Sequence, residues 1–158
     1  MNVLQQADSY LTFTLDRELF ALPVNKVLEI LEIIPIVKVP MSPPFMRGVI
    51  NLRGNILPVI DARIKFGISD APFTIDSCIV VIGIGTGKEP LLVGVLVDSV
   101  KEVIEIPDAA IQPSPGIGAF CNYELITGMG NTGDGFAMIL DPDKVFAADE
   151  LIVLSAVN

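Results

Sequence analysis

Phe45-Met46-Arg47-Gly48-Val49-Ile50-Asn51-Leu52-Arg53-Gly54-Asn55-Ile56-Leu57-Pro58-Val59-Ile60-Asp61 is the stretch on which the reading of this chain turns. Apolar runs on either side of Arg53-Gly54 are the pattern of two strands joined by a tight turn, so 48–52 and 55–60 are expected to form a hairpin. Gly48 permits an unusual backbone or a close approach by another segment. Arg53, at the tip, would present a rigid five-donor fork. A tip arginine can equally be no more than solvated, and the residues alone do not choose between these readings. One helical turn over 62–66, closed by Gly67, is expected to follow.

Outward from the hairpin, the same short-period pattern recurs. Residues 10–15 read as a strand with Leu11, Phe13 and Leu15 on one face, and 19–24 return after the polar turn Asp16-Arg17-Glu18. Residues 27–34 fit a short helical turn leading into a strand. Prolines make 40–44 a loop, since proline fixes φ and removes a ladder donor. Beyond a polar stretch over 69–77, strands are expected at 78–84, 90–97, 100–106, 125–129 and 136–140. A proline-rich link over 107–115 interrupts them. Pro142, with Asp141 as cap, would open a C-terminal helix running to about residue 156. Short strands in two similar halves point to a mainly β protein of two small barrels that close their own edges.

The charge balance narrows the function. Ten basic and nineteen acidic residues leave a net charge of −9. Residues 1–75 carry seven of each sign, whereas 76–158 carry three basic and twelve acidic. A nucleic-acid binder needs a basic face to neutralise phosphates, and an anionic membrane would repel this surface. The acidity serves solubility or electrostatic docking equally well. No apolar window is long enough for a transmembrane helix, and the first eight residues carry neither the basic cluster nor the apolar run of a signal peptide. A cytoplasmic protein is the expectation. The opening Met1, with no catalytic or dimerisation segment, favours a stand-alone protein over a barrel cut from a larger kinase.

Histidine is absent from all 158 residues, which excludes Ser–His and Cys–His nucleophiles, histidine-ligated metals and a histidine switch near neutral pH. No cofactor or metal is expected. Cys78 lies in an apolar run and reads as a structural thiol, while Cys121 sits beside a loop; their separation makes neither a CxxC motif nor a disulfide framework. Gly128-Met129-Gly130-Asn131-Thr132-Gly133 has the letters of a dinucleotide loop, but an apolar strand follows where a helix is required, so a hairpin turn is preferred. Gly83-Ile84-Gly85-Thr86-Gly87-Lys88 fails as a P-loop for the same reason, and Glu89 stands where Ser or Thr should meet magnesium. Asp61 and Asp98 each end an apolar strand, as in an aspartic-protease dyad, but Asp61-Ala62-Arg63 and Asp98-Ser99-Val100 lack the Asp-Thr/Ser-Gly turn. Strand termination by a locally hydrogen-bonded aspartate is the preferred reading, and a hydrolase using Asp61 and Asp98 is a distant alternative.

The central stretch closely resembles the G-V-x-N-L-R-G-x-x-x-P-[VI]-[VI]-D signature of CheW-like domains, and Arg63-Ile64-Lys65-Phe66 continues it. Phe13-Thr14-Leu15 with Leu19-Phe20-Ala21-Leu22-Pro23 is similar to the family's opening hairpin, and Val27-x-Glu29-Ile30 to its next element. Val93-Gly94-Val95-Leu96-Val97-Asp98-Ser99-Val100 resembles the second-half pattern, and Glu124-Leu125-Ile126-Thr127-Gly128 the late strand. The resemblance runs from about Tyr10 to Val145. Ala62 departs from it, since relatives commonly carry a larger aliphatic there, and so does Pro115-Gly116-Ile117-Gly118.

The resemblance implies two SH3-like five-stranded barrels packed on a shared seam, with short helical turns and a C-terminal helix. It implies one CheW-like domain over 8–156, with approximate barrels over 20–75 and 76–140 and terminal segments exchanging between them. It further implies a non-catalytic adaptor that couples chemoreceptor cytoplasmic tips to the regulatory domain of the histidine kinase CheA, with other CheW-like domains as further array partners, recruited to membrane-associated receptor clusters. A scaffold of another chemosensory pathway, such as surface motility, is the alternative within the class. Position by position, it assigns partner contacts to Val27, Glu29, Gly48, Arg53, Val100 and Val103. Val27, Val100 and Val103 alternate with polar neighbours, so each fits a core position as well as an exposed groove.

Overall fold

The computed structural model describes residues 8–85, 90–112 and 126–145. Among the described residues, eleven strands form two sheets. The N-terminal hairpin is β1 (Ser9–Leu15) and β2 (Glu18–Pro23), followed by a 3-10 turn over Val24–Lys26 and β3 (Val27–Glu32). The central hairpin is β4 (Met46–Leu52) and β5 (Asn55–Asp61), and α1 (Ala62–Lys65) follows directly. Then come β6 (Cys78–Ile84), β7 (Leu91–Val97), β8 (Ser99–Glu105), a 3-10 turn at Asp108–Ala110 and β9 (Ile111–Gln112). A last hairpin, β10 (Ile126–Asn131) and β11 (Phe136–Leu140), leads into α2 (Pro142–Val145). The first sheet has the order β3-β6-β7-β5-β4 and the second β8-β1-β2-β11-β10-β9.

This is the mainly β, two-barrel architecture expected, with one sheet of five strands and one in which the two-residue β9 adds a sixth. The strands are not shared out by sequence halves. All strands from Val27 to Val97 belong to the first sheet, while β1 and β2 join β8 to β11 in the second. The polar stretch over 69–77 looks like a boundary in sequence but is a connection inside the first sheet, because β5 pairs in parallel with β7 and needs a long return.

Why these residues fold this way follows from which faces they bury. β6 and β7 are buried on both faces. Ile79, Val81 and Leu96 point into the first sheet's own core with Ile50, Leu57 and Val59. Their neighbours Val80, Ile82, Val93, Val95 and Val97 point the other way, into a seam shared with Leu11, Phe13, Leu15, Phe20 and Leu22 of the second sheet. β-branched residues suit such strands because they pack on both pleated faces. The expected face of β1, Leu11, Phe13 and Leu15, is the one buried in the seam. Phe66, just after α1, stacks on Phe20 at 5.7 Å between centroids, and Phe20 on Phe13 at 5.8 Å. A smaller core of Tyr10, Ala21, Ile106, Ala137 and Ile139 fills the second sheet.

The glycine hairpin over 128–133 is the turn expected: β10 runs into β11 through residues 132–135, with Thr132 and Gly133 bonded to Gly135 and Asn131. Asp141 caps α2 as expected, its Oδ1 accepting from the Asp143 N–H at 3.0 Å. The expected continuation of that helix, Cys121, and the Pro115-Gly116-Ile117-Gly118 departure lie outside the described residues.

Gly48 shows why glycine is required in β4. Its φ is +148°, and a Cβ there would stand 2.1 Å from the carbonyl oxygen of Val37. Val37 bridges to Val49 by two backbone hydrogen bonds of 2.8 and 2.9 Å, so the 33–45 connection is tied down at this glycine. Gly48→Ala is expected to destabilise the fold by about 2 kcal/mol or more, since an unfavourable φ alone costs roughly 1–3 kcal/mol. Urea unfolding would check this; an unchanged midpoint would show that the connection moves aside freely.

Candidate functional site

Arg53 and Gly54 form a two-residue turn between Leu52 and Asn55, with φ of +52° and +89°. Positive φ at both positions matches the right-handed twist of the flanking strands. Gly54 adopts it freely, whereas an arginine seldom does. Asn51 supports the turn, its Oδ1 accepting from the Gly54 N–H at 2.9 Å. The turn therefore fixes the direction in which the Arg53 side chain leaves the backbone.

That side chain, 71% exposed, reaches Glu29 of β3. Its Nη2 donates to Oε1 at 2.6 Å and to Oε2 at 2.7 Å. β3 is one margin of the first sheet and the β4–β5 hairpin the other, so this ion pair bridges the margins of a curled sheet. The Arg53 guanidinium holds the Glu29 carboxyl below its usual value of 4.5, and Glu29 in turn holds Arg53 protonated. Two residues assigned to partner contact are thus brought together.

Exposed apolar side chains are neighbours of this pair in sequence. Leu28 and Ile30, on either side of Glu29, are 55% and 45% exposed, and Ile56 beyond the tip is exposed as well. Glu29 pairs with Val81 and Ile30 with Val80, so their side chains leave β3 on opposite faces, and the margin offers one directional contact on one face and exposed aliphatics on the other. Sequence pattern did not single out Leu28, Ile30 or Ile56. The signal available was the apolar-apolar-acidic repeat of Val27-Leu28-Glu29-Ile30-Leu31-Glu32, which puts apolar residues on both faces and does not say which is covered.

The other assigned residues separate. Val27 and Val100 are half-buried and pack against the seam. Val103 is 54% exposed on β8, a margin of the second sheet. Gly48 is held by Val37 and acts through the backbone. A cleft of about 800 Å³ opens between the 33–44 connection and Phe73, lined by Ile33, Pro35, Lys38, Pro44, Arg47 and Phe73. Arg47 closes one side, 5.0 Å from the Phe73 ring centroid and 3.3 Å from Asp70.

Asp61 and Asp98 are occupied separately. Asp61 caps α1, its Oδ1 accepting from the Arg63 and Ile64 N–H groups at 3.0 and 3.4 Å. Burial pushes its carboxyl up from 3.8 against those bonds and the nearby Arg47. Asp98 accepts from the Asp16 N–H at 2.7 Å and lies 3.3 Å from Arg63 Nε. Asp61 thus ends its strand by local bonding, whereas Asp98 is held by residues distant in sequence. Cys78 is half-buried, its thiol donating to the Asp76 carbonyl at 3.1 Å, and burial raises its pKa. No group of metal-ligating side chains and no helix long and apolar enough to cross a membrane occurs among the described residues.

The model of the CheW-like domain matches residues 9–150. The chain belongs to the CheW-like family. It is 30% identical over 148 residues to the chemotaxis protein CheW of Klebsiella aerogenes, covering 94% of this chain and 87% of that protein. It is also 30% identical over 140 residues to CheW of Helicobacter pylori, covering 89% and 82%. The crystal structure of the scaffolding protein TtCheW from Thermoanaerobacter tengcongensis superposes with a TM-score of 0.80 at 32% identity, covering 91% of this chain and 95% of that one. The family is one of chemotaxis scaffolds, and membership matches the resemblance carried by the central signature.

Two titrations test the site. The Glu29 carboxyl, followed by NMR, is expected to titrate below 4.5 and to return to the ordinary range in Arg53→Ala. The tie is present above that lowered midpoint and lost as pH falls through it; equal midpoints in both proteins would show that it is not formed in solution. Asp61 has the opposite sign. Because its pKa is raised from 3.8, the folded chain holds the proton more tightly than the unfolded one. Stability relative to Asp61→Asn is therefore expected to fall as pH rises from about 3.8 through the folded value, and a flat difference in urea midpoints would refute this.

Proposed function

We propose that this protein is a non-catalytic adaptor of chemotaxis signalling, binding chemoreceptor cytoplasmic tips and the regulatory domain of the histidine kinase CheA. The observation that carries the reading is the Arg53–Glu29 pair, which joins the arginine of the central family signature to the margin strand β3, where Leu28 and Ile30 are exposed. Receptor signalling regions are helical, and a helix with an apolar stripe can lie on such a surface. The fork of Arg53 supplies register and orientation. Val103, exposed on the margin of the second sheet, would offer a further apolar contact near the receptor groove, and the kinase domain would meet another face.

The adaptor needs no chemistry of its own. Holding two partners at once raises the effective concentration of each for the other, and differential contacts between assembled arrangements supply the signal. Asp61 and Asp98 serve the fold in this reading. A CheW-like scaffold in another chemosensory pathway would use the same surface with different partners.

Co-sedimentation with receptor signalling fragments and CheA tests the proposal. Joint recovery is expected, with kinase activity raised only when all three are present; absence of either partner from the pellet would refute it. Arg53→Ala should keep the β-rich spectrum and lower receptor affinity about tenfold, the effect of an ordinary interface hot spot. Normal coupling by that variant would remove Arg53 from the binding surface.

A further inference from the structure

The residues Leu52-Arg53-Gly54-Asn55 suit a turn in which the glycine alone takes positive φ and the arginine takes negative φ. The observed turn is different. Arg53 has φ of +52° and Gly54 of +89°, so the arginine occupies a position that favours asparagine, aspartate or glycine. The twist of β4 and β5 favours this turn and the arginine side chain opposes it. Contacts around the tip therefore decide how firmly it is held.

Two contacts act on Arg53. Glu29 holds the far end of the side chain, at Nη2, from 24 positions away on another strand. Asn51 holds the backbone, its Oδ1 accepting from the Gly54 N–H at 2.9 Å. That N–H belongs to the peptide between Arg53 and Gly54, so the bond fixes the plane of the peptide that leaves Arg53. A similar bond stands at the β1–β2 tip, the other hairpin tip with positive φ on residues other than glycine. There Asp16 and Arg17 have φ of +53° and +72°, and the Asp98 carboxylate accepts from the Asp16 N–H at 2.7 Å. At the β10–β11 tip Asn131 holds the Gly133 N–H at 2.9 Å, and the positive φ falls on glycine. A side-chain oxygen on a tip N–H is thus ordinary in this fold. The β4–β5 tip is particular because the strained residue is the arginine of the family signature. Asn51 is exposed and lies opposite the exposed Ile56, so it fills no core.

We infer that Asn51 is a positioning residue for Arg53: by holding the Gly54 N–H it keeps the arginine at positive φ, aimed at Glu29, and it sets partner affinity through that side chain without touching the partner. Its effect on partners rests on the adaptor reading above; its effect on Arg53 is a property of the free protein. Without the Asn51 oxygen the tip loses one hydrogen bond, and a bond of ordinary net worth shifts the ratio of positive-φ to negative-φ turns about fivefold. Arg53 then points away from Glu29 for more of the time.

NMR on the free protein and a binding cycle with the receptor signalling fragment test the two effects separately. In Asn51→Ala the far-UV spectrum should be unchanged. The strong intraresidue HN–Hα cross-peak that positive φ gives Arg53 should weaken, and the Glu29 midpoint should rise towards its value in Arg53→Ala. Asn51→Asp keeps the accepting oxygen and should keep the cross-peak. A role in turn stability alone would lower the urea midpoint and leave the Glu29 midpoint where it is, which overturns the inference. Should Asn51→Ala not fold, amide exchange in the unaltered protein decides: protection of the Gly54 N–H supports the inference, and exchange as fast as in an unstructured chain overturns it. With the receptor fragment, Asn51→Ala should lower affinity about fivefold when Arg53 is present and leave it unchanged in Arg53→Ala. An equal loss in both backgrounds makes Asn51 a direct contact and overturns the inference. Absence of binding by the unaltered protein refutes the adaptor reading instead, and the free-protein NMR then decides the role of Asn51.

Discussion

The fold depends on β6 and β7 being apolar on both faces. A strand with one apolar face can be satisfied by a single sheet and its core. Here Ile79, Val81 and Leu96 fill the core of the first sheet, and the residues between them must be covered by something else. Only the second sheet covers them, through Leu11, Phe13, Leu15, Phe20 and Leu22. Each sheet alone would leave an extensive aliphatic surface uncovered. The two barrels are therefore obligatory partners within one chain, and the separation of β1 and β2 from the sequence that follows them is a consequence. The hairpin must join the far sheet because its seam face has nowhere else to go.

With apolar contacts saturated in the interior, the ionic groups collect at the strand ends and turns. Asp61 ends β5 and caps α1, Asp98 ends β7, and Asp143 lies in the first turn of α2. The two tips with positive φ, Asp16-Arg17 and Arg53-Gly54, each carry a charged residue in a conformation that an ordinary side chain avoids. In both, the strain coincides with a contact: Asp16 with Asp98 and Arg63, and Arg53 with Glu29. A turn of this geometry limits where the side chain can point, which is useful where an exposed charge has to be aimed.

Much of the fold was legible because the strands are short and their punctuation is plain. Arg53-Gly54, Asp16-Arg17 and Gly133 all mark turns where they occur, and Pro142 with Asp141 marks a helix start. The division into sheets was less so. Residues 69–77 look like a boundary because they are polar, yet the parallel pairing of β5 with β7 makes them an internal return. Parallel pairing leaves no local trace in sequence. At the site, Glu29 and Arg53 were marked by the family signature, but their 2.6 Å contact joins residues 24 positions apart and depends on the curl of the sheet. Val27, Val100 and Val103 look alike in sequence, and only the packing separates the first two, in the seam, from the third, in solvent. Alternation tells which residues share a face, not which face is covered.

The same asymmetry bears on the choice between binding and chemistry. Asp61 Oδ1 is bonded to two backbone N–H groups, and Asp98 is held by the Asp16 N–H and Arg63. These acids are committed to ending strands and joining sheets. Leu28, Ile30, Ile56 and Val103 are among the apolar side chains left without cover, and the shortest side-chain ion pair among the described residues is Arg53 with Glu29. Uncovered aliphatics and one aimed ion pair are features that a protein partner can use, and an interior with its polar groups already tied supplies the rigidity that such a surface needs.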